Sequence, residues 1–282
     1  MSRRTGLIGA GRLGSSLALA LERAGHPVAV VASASTSAAQ ALAERLASAV
    51  CASTDEVVAT CELVLLTVPD DALLGVSAGL PWRRSQEVVH CSGAHGLDVL
   101  EPAREAGAFR GCLHPLQAFP ERFADPSRFS GIVCGVEGEG ALAARLERYA
   151  SDLGASSVSL KGVDRARYHA AAVLASNYVV ALHVAAAQAW ALAGLPAAQA
   201  RSALAPLTLG AADQVRRMPL EAALTGPLAR GDVETIAKHL HALAQAPELR
   251  ELYQRLGKTL LALPLSLPPE RRARVEALLH DD

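Results

Sequence analysis

The chain has 282 residues, 51% of them hydrophobic and 20% charged, and a formal net charge of -1. Such a composition belongs to a globular protein large enough for two domains and excludes a disordered chain. A charge this close to zero offers no basic surface for neutralising phosphates, so nucleic acid is set aside as a partner.

Met1 to Arg4 leads straight into an apolar run, with no segment of signal-peptide length before it, and a cytoplasmic location is expected. Thr5 to Ile8 reads as a strand, and Leu13 to Arg23, with Leu13, Leu17 and Leu21 at helical spacing, as the helix after a glycine turn. Val28 to Val31 is a second strand and Ala38 to Ala47 a second helix of good helix formers. Ala49 to Cys51, Leu63 to Val68 and Glu87 to Cys91 are three more strands. Their uninterrupted apolar character predicts a parallel sheet covered on both faces. Gly111 to His114 and Gly131 to Gly135 are further short strands, an amphipathic helix runs from Ala141 to Leu153, and Ser157 to Leu160 closes the sheet. Past Lys161 everything reads as helix, with breaks at Gly194-Leu195-Pro196, Met218-Pro219, Thr225-Gly226-Pro227, Pro247 and Pro264 to Pro269. The pattern predicts an α/β fold, with a parallel-sheet Rossmann domain over residues 1–160 and an all-helical domain over 161–282.

Gly9-Ala10-Gly11-Arg12-Leu13-Gly14 sits where a strand ends and a helix begins, which is the context a dinucleotide-binding turn requires. Gly9 permits the turn, Gly11 lets backbone approach a diphosphate, Gly14 lets helix pack on strand, and the free amides of Arg12 and Leu13 face the anion. NAD-binding domains carry Asp or Glu at the end of the second strand; Ala32-Ser33-Ala34-Ser35-Thr36 stands there instead. Hydroxyls and a guanidinium tolerate a 2'-phosphate that a carboxylate repels, so Ser33, Ser35 and Arg12 point to NADP. The other reading of these serines is that they cap the next helix.

Ligands of an open parallel sheet bind beyond the carboxyl ends of its strands. Those ends carry Thr67, Val68, Pro69 and Asp70, then His90, Cys91, Ser92 and Gly93, then His114, Pro115, Leu116 and Gln117. Hydride transfer to a carbonyl needs a proton donor, and histidine titrates nearest neutrality, which makes His114 the leading candidate of this domain. Its alternative is a buried histidine satisfied by backbone. The spacing of His90, Cys91, His95 and His114 matches no zinc pattern, so no metal is expected. The five cysteines contain no Cys-x-x-Cys pair and read as reduced thiols.

Tyr168 to Ala200 contains no Lys, Arg, Asp or Glu and is long enough to span a bilayer. Its His169, Ser176, Asn177, His183 and Gln188 are costly in lipid, so a buried helix at a domain or subunit interface is expected rather than a membrane span. His169, Val173 and Asn177 follow at helical spacing on one face. They either bond a ligand or bond one another and a neighbouring helix. Thr225 to Asp232 reads from its spacing as a helix connector.

Six motifs in this order carry a resemblance: Gly9 to Gly14, Thr67-Val68-Pro69-Asp70, His90-Cys91-Ser92-Gly93, Leu113 to Phe119, Tyr168-His169-Ala170-Ala171-Ala172, and Leu224-Thr225-Gly226-Pro227 with Arg230-Gly231-Asp232. Across nearly the whole chain they resemble the Rossmann-like proteins with a C-terminal DUF2520 domain, a group similar to pyrroline-5-carboxylate, ketopantoate and beta-hydroxyacid reductases and dehydrogenases. The resemblance implies an all-helical, 6-phosphogluconate-dehydrogenase-like domain that forms a homodimer, and a small-molecule substrate between the domains. The ketopantoate and hydroxyacid enzymes use a lysine, then an asparagine, on the first long helix of that domain. Here the helix offers His169 and Asn177, and the chain's three lysines, Lys161, Lys238 and Lys258, lie elsewhere.

The expectation is an NADPH-dependent reductase of a small oxo acid or related carbonyl. Gly9, Gly11, Arg12, Leu13, Gly14, Ser33, Ser35, Thr67, Val68 and Pro69 would hold the cofactor. His114 or His169 would give the proton, with Ser92, Gln117 and Asn177 orienting the substrate. The alternatives are a dinucleotide-binding regulatory protein without catalysis and an imine reductase of the pyrroline-carboxylate type.

Overall fold

A computed structural model of the chain describes residues 3–280 and divides into two compact units that part between Ser176 and Asn177. The strands of the first unit are β1 (Thr5–Ile8), β2 (Val28–Ala32), β3 (Val50–Cys51), β4 (Leu63–Leu66), β5 (Glu87–His90), β6 (Phe109–Pro115), β7 (Val133–Gly138) and β8 (Ser156–Ser159). Its helices are α1 (Arg12–Arg23), α2 (Thr36–Ala43), α3 (Thr54–Thr60), α4 (Leu73–Ala78), α5 (Glu101–Glu105), α6 (Leu142–Asp152) and α7 (Arg165–Ala175).

The strands form one sheet in the order β3-β2-β1-β4-β5-β6-β7-β8. β1 pairs in parallel with both β2 and β4, placing Ile8 beside Ala32 and Leu66. Strand order reverses on either side of β1, which opens a crevice at the carboxyl ends. The apolar runs are covered on both faces, as their composition predicts. Leu65, Val89 and Leu113 pack with Leu17 and Leu21 of α1 and Leu146 of α6. Val64, Leu66 and Val88 pack oppositely, with Val57 and Val58 of α3 and Leu100.

The sheet departs from an all-parallel one at β7, which runs antiparallel to β6, with β8 parallel to β7. The chain returns alongside β6 through residues 116–132 without a crossover helix long enough to restore direction. α2 also ends earlier than its helix-forming composition suggests. Past Ala43 the amides of Arg45 and Leu46 tighten onto carbonyls three residues back, and that of Ala47 bonds the carboxylate of Glu22 on α1 at 2.8 Å.

The change of pattern at Lys161 suggests a boundary at 160, whereas α7 belongs to the first unit. Asp164 caps it, and Arg165 bonds Glu137 of β7. Ser176, at φ -120° and ψ -70°, then leaves the helical region. The single helix expected beyond Tyr168 is therefore two, and His169 and Asn177 do not share one helix face.

The second unit is helical throughout: α8 (Asn177–Leu192), α9 (Ala197–Arg217), α10 (Leu220–Ala223), α11 (Pro227–Arg230), α12 (Val233–Ala242), α13 (Pro247–Leu261) and α14 (Pro269–His280). Leu228, Ile236, Leu240, Leu261, Val275 and Leu279 form its core. The carboxylate of Asp232 accepts both the amide and the hydroxyl of Thr235, so the Thr225 to Asp232 segment ends by capping α12. α8 and α9 pair through a 2.6 Å bond between His183 Nε2 and Thr208 Oγ1. No residue of α8 is buried, with Val180 66% and Val184 57% exposed, so the burial expected of this stretch is not met within one chain. Residues 165–192 are the one helical segment among those described that is long and apolar enough to cross a membrane, with an 18-residue stretch of mean hydropathy 1.7.

Asp232→Ala should destabilise the second unit by removing the cap of α12, seen as a lower urea midpoint. An unchanged midpoint would show that α12 does not depend on this cap.

Candidate functional site

The turn after β1 is held by three groups. Gly9 adopts φ +112°, and a Cβ there would lie 2.7 Å from the backbone of Thr67. The hydroxyl of Thr67 donates to the Gly9 carbonyl at 2.6 Å. A Cβ on Gly14 would strike both that carbonyl and the Thr67 oxygen. Thr67 thus braces the turn at the point where β1 and β4 end side by side.

Beyond this brace the turn is open. Nothing lies within 4 Å of a Cβ built on Gly11, and no side chain caps α1, whose first backbone bond is Ser15 N–H to the Gly11 carbonyl. The amides of Arg12, Leu13 and Gly14 have no intrahelical carbonyl to bond, and the helix dipole adds its positive end. A diphosphate fits this cradle, and the residues present suit a nicotinamide dinucleotide. Arg12 is exposed, Leu13 packs partly into the core, Val68 packs against the opposite core and Pro69 is exposed.

After β2 no carboxylate stands between Ala32 and Thr36. Ser33 is half-buried. Ser35 accepts the amide of Ala38 at 3.2 Å, so it does cap α2. Its oxygen also lies 3.0 Å from that of Ser37, which makes a hydroxyl pair at the head of the helix.

The carboxyl ends of β5 and β6 bring a second group together. His90 is fully buried, and its Nδ1 accepts the amide of Ser92 at 3.2 Å. The oxygen of Ser92 accepts the amides of Ala94 and His95, which shapes the turn that carries Gly93. The imidazole of His114 lies against Gly93, where a Cβ would come within 2.6 Å of the ring. Nδ1 of His114 is hydrogen bonded to the hydroxyl of Tyr168 on α7 at 2.9 Å. That hydroxyl sits over Gly135 of β7, where a Cβ would come within 2.8 Å of it. Arg165, one turn earlier on α7, is buried and bonds Glu137 and the thiol of Cys112.

Burial drives the pKa of His114 down to about 4, with His169 adding to the effect, and burial likewise takes His90 to about 4. At neutral pH His114 is a neutral imidazole, so it holds no imidazolium proton to give, contrary to the role its ordinary titration suggests. Burial raises the Tyr168 hydroxyl above its usual range.

Of the residues singled out in the sequence, Ser92, His114 and His169 fall in this unit with the glycine turn. Gln117 is exposed and its side-chain oxygen caps the amide of Ala118 at 2.9 Å. Asn177 opens α8 in the second unit, exposed. Sequence spacing does not reveal the Tyr168 to His114 bond or the Arg165 to Glu137 pair, although Tyr168 belongs to a motif already noted.

Residues 2–115 match the family model of a Rossmann-like domain, and residues 132–260 that of the domain of unknown function DUF2520. No curated protein matches the sequence. Among solved structures, a Bacteroides fragilis protein named as a candidate NADP oxidoreductase is 27% identical, with a TM-score of 0.69 over 92% of this chain and 98% of that one. Protein TM1727 of Thermotoga maritima is 25% identical, with a TM-score of 0.71 over 91% and 96%. A 1-pyrroline-5-carboxylate reductase of Streptococcus pyogenes shares the fold at 17% identity and a TM-score of 0.62, over 93% and 99%.

Because both imidazoles are held neutral at pKa values of about 4, the unfolded chain, titrating near about 6.5, binds protons first as pH falls. Their contribution to stability should be complete above that value and be lost as pH drops toward 4. Thermal melts should show Tm falling across this window, and less steeply in His114→Asn; identical slopes for variant and wild type would count against a buried neutral His114.

Proposed function

We propose that this chain, a Rossmann-like domain followed by a DUF2520 domain, is an NADP-dependent oxidoreductase that reduces a small oxo acid or related carbonyl, in the manner of ketopantoate reductases. The observation that carries this reading is the braced turn of Gly9, Gly14 and Thr67, which leaves the α1 amides free at an open Gly11. The likeness to the Bacteroides fragilis protein supports the same cofactor.

Gly9 to Gly14 would hold the diphosphate, Val68 and Pro69 would flank the nicotinamide half at the β4 end, and Ser33, Ser35 and Arg12 would take the 2'-phosphate. When bound, the reduced nicotinamide supplies a hydride. The group around His114 on α7 and β6, including His169, supplies the proton. Ser92 positions the turn facing His114 and, with Gln117, orients the substrate. The free thiols, all but Cys51 buried, suit a reducing cytoplasm.

Ser33→Asp should weaken NADPH binding at least about tenfold and spare NADH, since one repulsive charge is worth about 1.4 kcal/mol or more at such a site. Equal losses for both nucleotides would remove the 2'-phosphate assignment. Turnover is tested with NADPH against 2-oxo acids, ketopantoate included, and cyclic imines. Reduction of imines alone would move the activity to C=N bonds, and tight NADPH binding without turnover of any would favour a regulatory protein.

The uncovered face of α8 fits a second copy of the chain, which would bury Val180 and Val184 against their equivalents or neighbours. Sedimentation should give a dimer that Val180→Asp dissociates. A monomeric wild type, or one that stays in solution only with detergent, would contradict the homodimer.

A further inference from the structure

Two tyrosines of this protein are hydrogen bonded to histidines at the same distance. Half-buried Tyr253 on α13 meets Nδ1 of the exposed His239 on α12 at 2.9 Å, between two helices of the second unit. Tyr168 meets Nδ1 of His114 at 2.9 Å in a very different setting. Its partner stands at the carboxyl end of β6, on the same edge of the sheet as the glycine turn, because β1 to β6 all run in one direction.

The Tyr168 pair is also built for. Gly93 leaves room for the His114 ring and Gly135 for the Tyr168 hydroxyl together with the side chain of Leu160, so a side chain at Gly93 would crowd His114 and one at Gly135 would crowd both Leu160 and Tyr168. The rings meet edge to face, with centroids 5.6 Å apart. Arg165 locks α7 to β7 one turn before Tyr168, through a guanidinium that is itself buried. Holding a phenol and an imidazole together in a half-buried strand-end site, at the expense of a side chain in the turn after β5 and another on β7, has no evident use in packing.

We infer that the hydroxyl of Tyr168, backed by Nδ1–H of His114, is the proton donor of the reduction, with Arg165 as the residue that positions it. The inference rests on the reductase reading above. In this arrangement His114 donates Nδ1–H to the Tyr168 oxygen, which frees the phenolic hydrogen for the carbonyl oxygen or imine nitrogen of the substrate. As hydride reaches the carbonyl carbon, its oxygen takes that hydrogen. The O–H bond of Tyr168 breaks with its electron pair left on the phenolate. Nδ1–H stabilises that charge until water returns a proton to the oxygen. An imidazole that stays neutral suits this role, since it serves as a fixed donor and not as the acid. The titratable and charged groups that bear on the pair are His169, Asp70 and Arg165, with the thiols of Cys112 and Cys134 nearby.

The test combines imidazole nitrogen NMR of the full-length protein with kinetics. His114 should carry its hydrogen on Nδ1, and Tyr168→Phe should abolish that preference while leaving NADPH affinity within about twofold. If His114 is instead protonated on Nε2, the phenol gives its hydrogen to the ring, has none for substrate, and the inference falls. With whichever carbonyl or imine is turned over, Tyr168→Phe should lower kcat by about 100- to 10,000-fold at a near-constant KM. Tyr253→Phe should change nothing, and Arg165→Met should lower kcat and weaken the Nδ1 preference together. A Tyr168→Phe enzyme with kcat within threefold of wild type overturns the assignment. Failure of the wild type to bind NADPH would instead strike at the reductase reading, and the NMR result would still report on the pair by itself.

Discussion

The hydroxyl of Thr67 reaches across from the end of β4 to the carbonyl of Gly9, and this contact governs the layout of the first unit. It can form only because β1 and β4 end in register and because neither Gly9 nor Gly14 carries a side chain. With the carbonyl of Gly9 turned toward Thr67, the chain enters α1 with its first amides directed outward at an exposed Gly11. The backbone geometry by itself suits an anion, through unsatisfied N–H groups and the helix dipole.

The same logic of missing side chains recurs at the other strand ends. Gly93 and Gly135 admit His114 and Tyr168 much as Gly14 admits Thr67. The common edge results from parallel pairing: six strands running one way place every carboxyl end on one side. β7 breaks that rule, yet its reversed direction puts Gly135 opposite His114 and Glu137 opposite Cys112, where α7 is anchored. The antiparallel return therefore contributes to the candidate site as well as closing the sheet.

What the sequence discloses is what depends on neighbours in the chain. The glycine turn and the apolar strands are local patterns, and they were legible, as was the all-helical character beyond Lys161. The direction of β7 was not, since short strands of mixed residues carry no mark of their orientation. Nor was the break at Ser176, which follows an alanine-rich run that favours helix and lacks the Gly or Pro that usually marks an end. The Tyr168 to His114 bond joins residues 54 positions apart, and only the antiparallel placement of β7 and the anchoring by Arg165 create it. For His114 the residue type was informative and its charge state was not, because burial reverses the expectation drawn from free histidine. Ser35 shows that two readings of one residue can coexist: it caps α2 and still presents a hydroxyl pair at the helix head.

The most direct test of the central claim is where the protein is protected when NADPH is added, followed by backbone hydrogen exchange. Protection should appear at Gly9 to Gly14 and at Ser33 to Thr36, the two places where amides and hydroxyls stand ready for phosphate. Unchanged exchange at the α1 amides in the presence of saturating nucleotide would contradict the account.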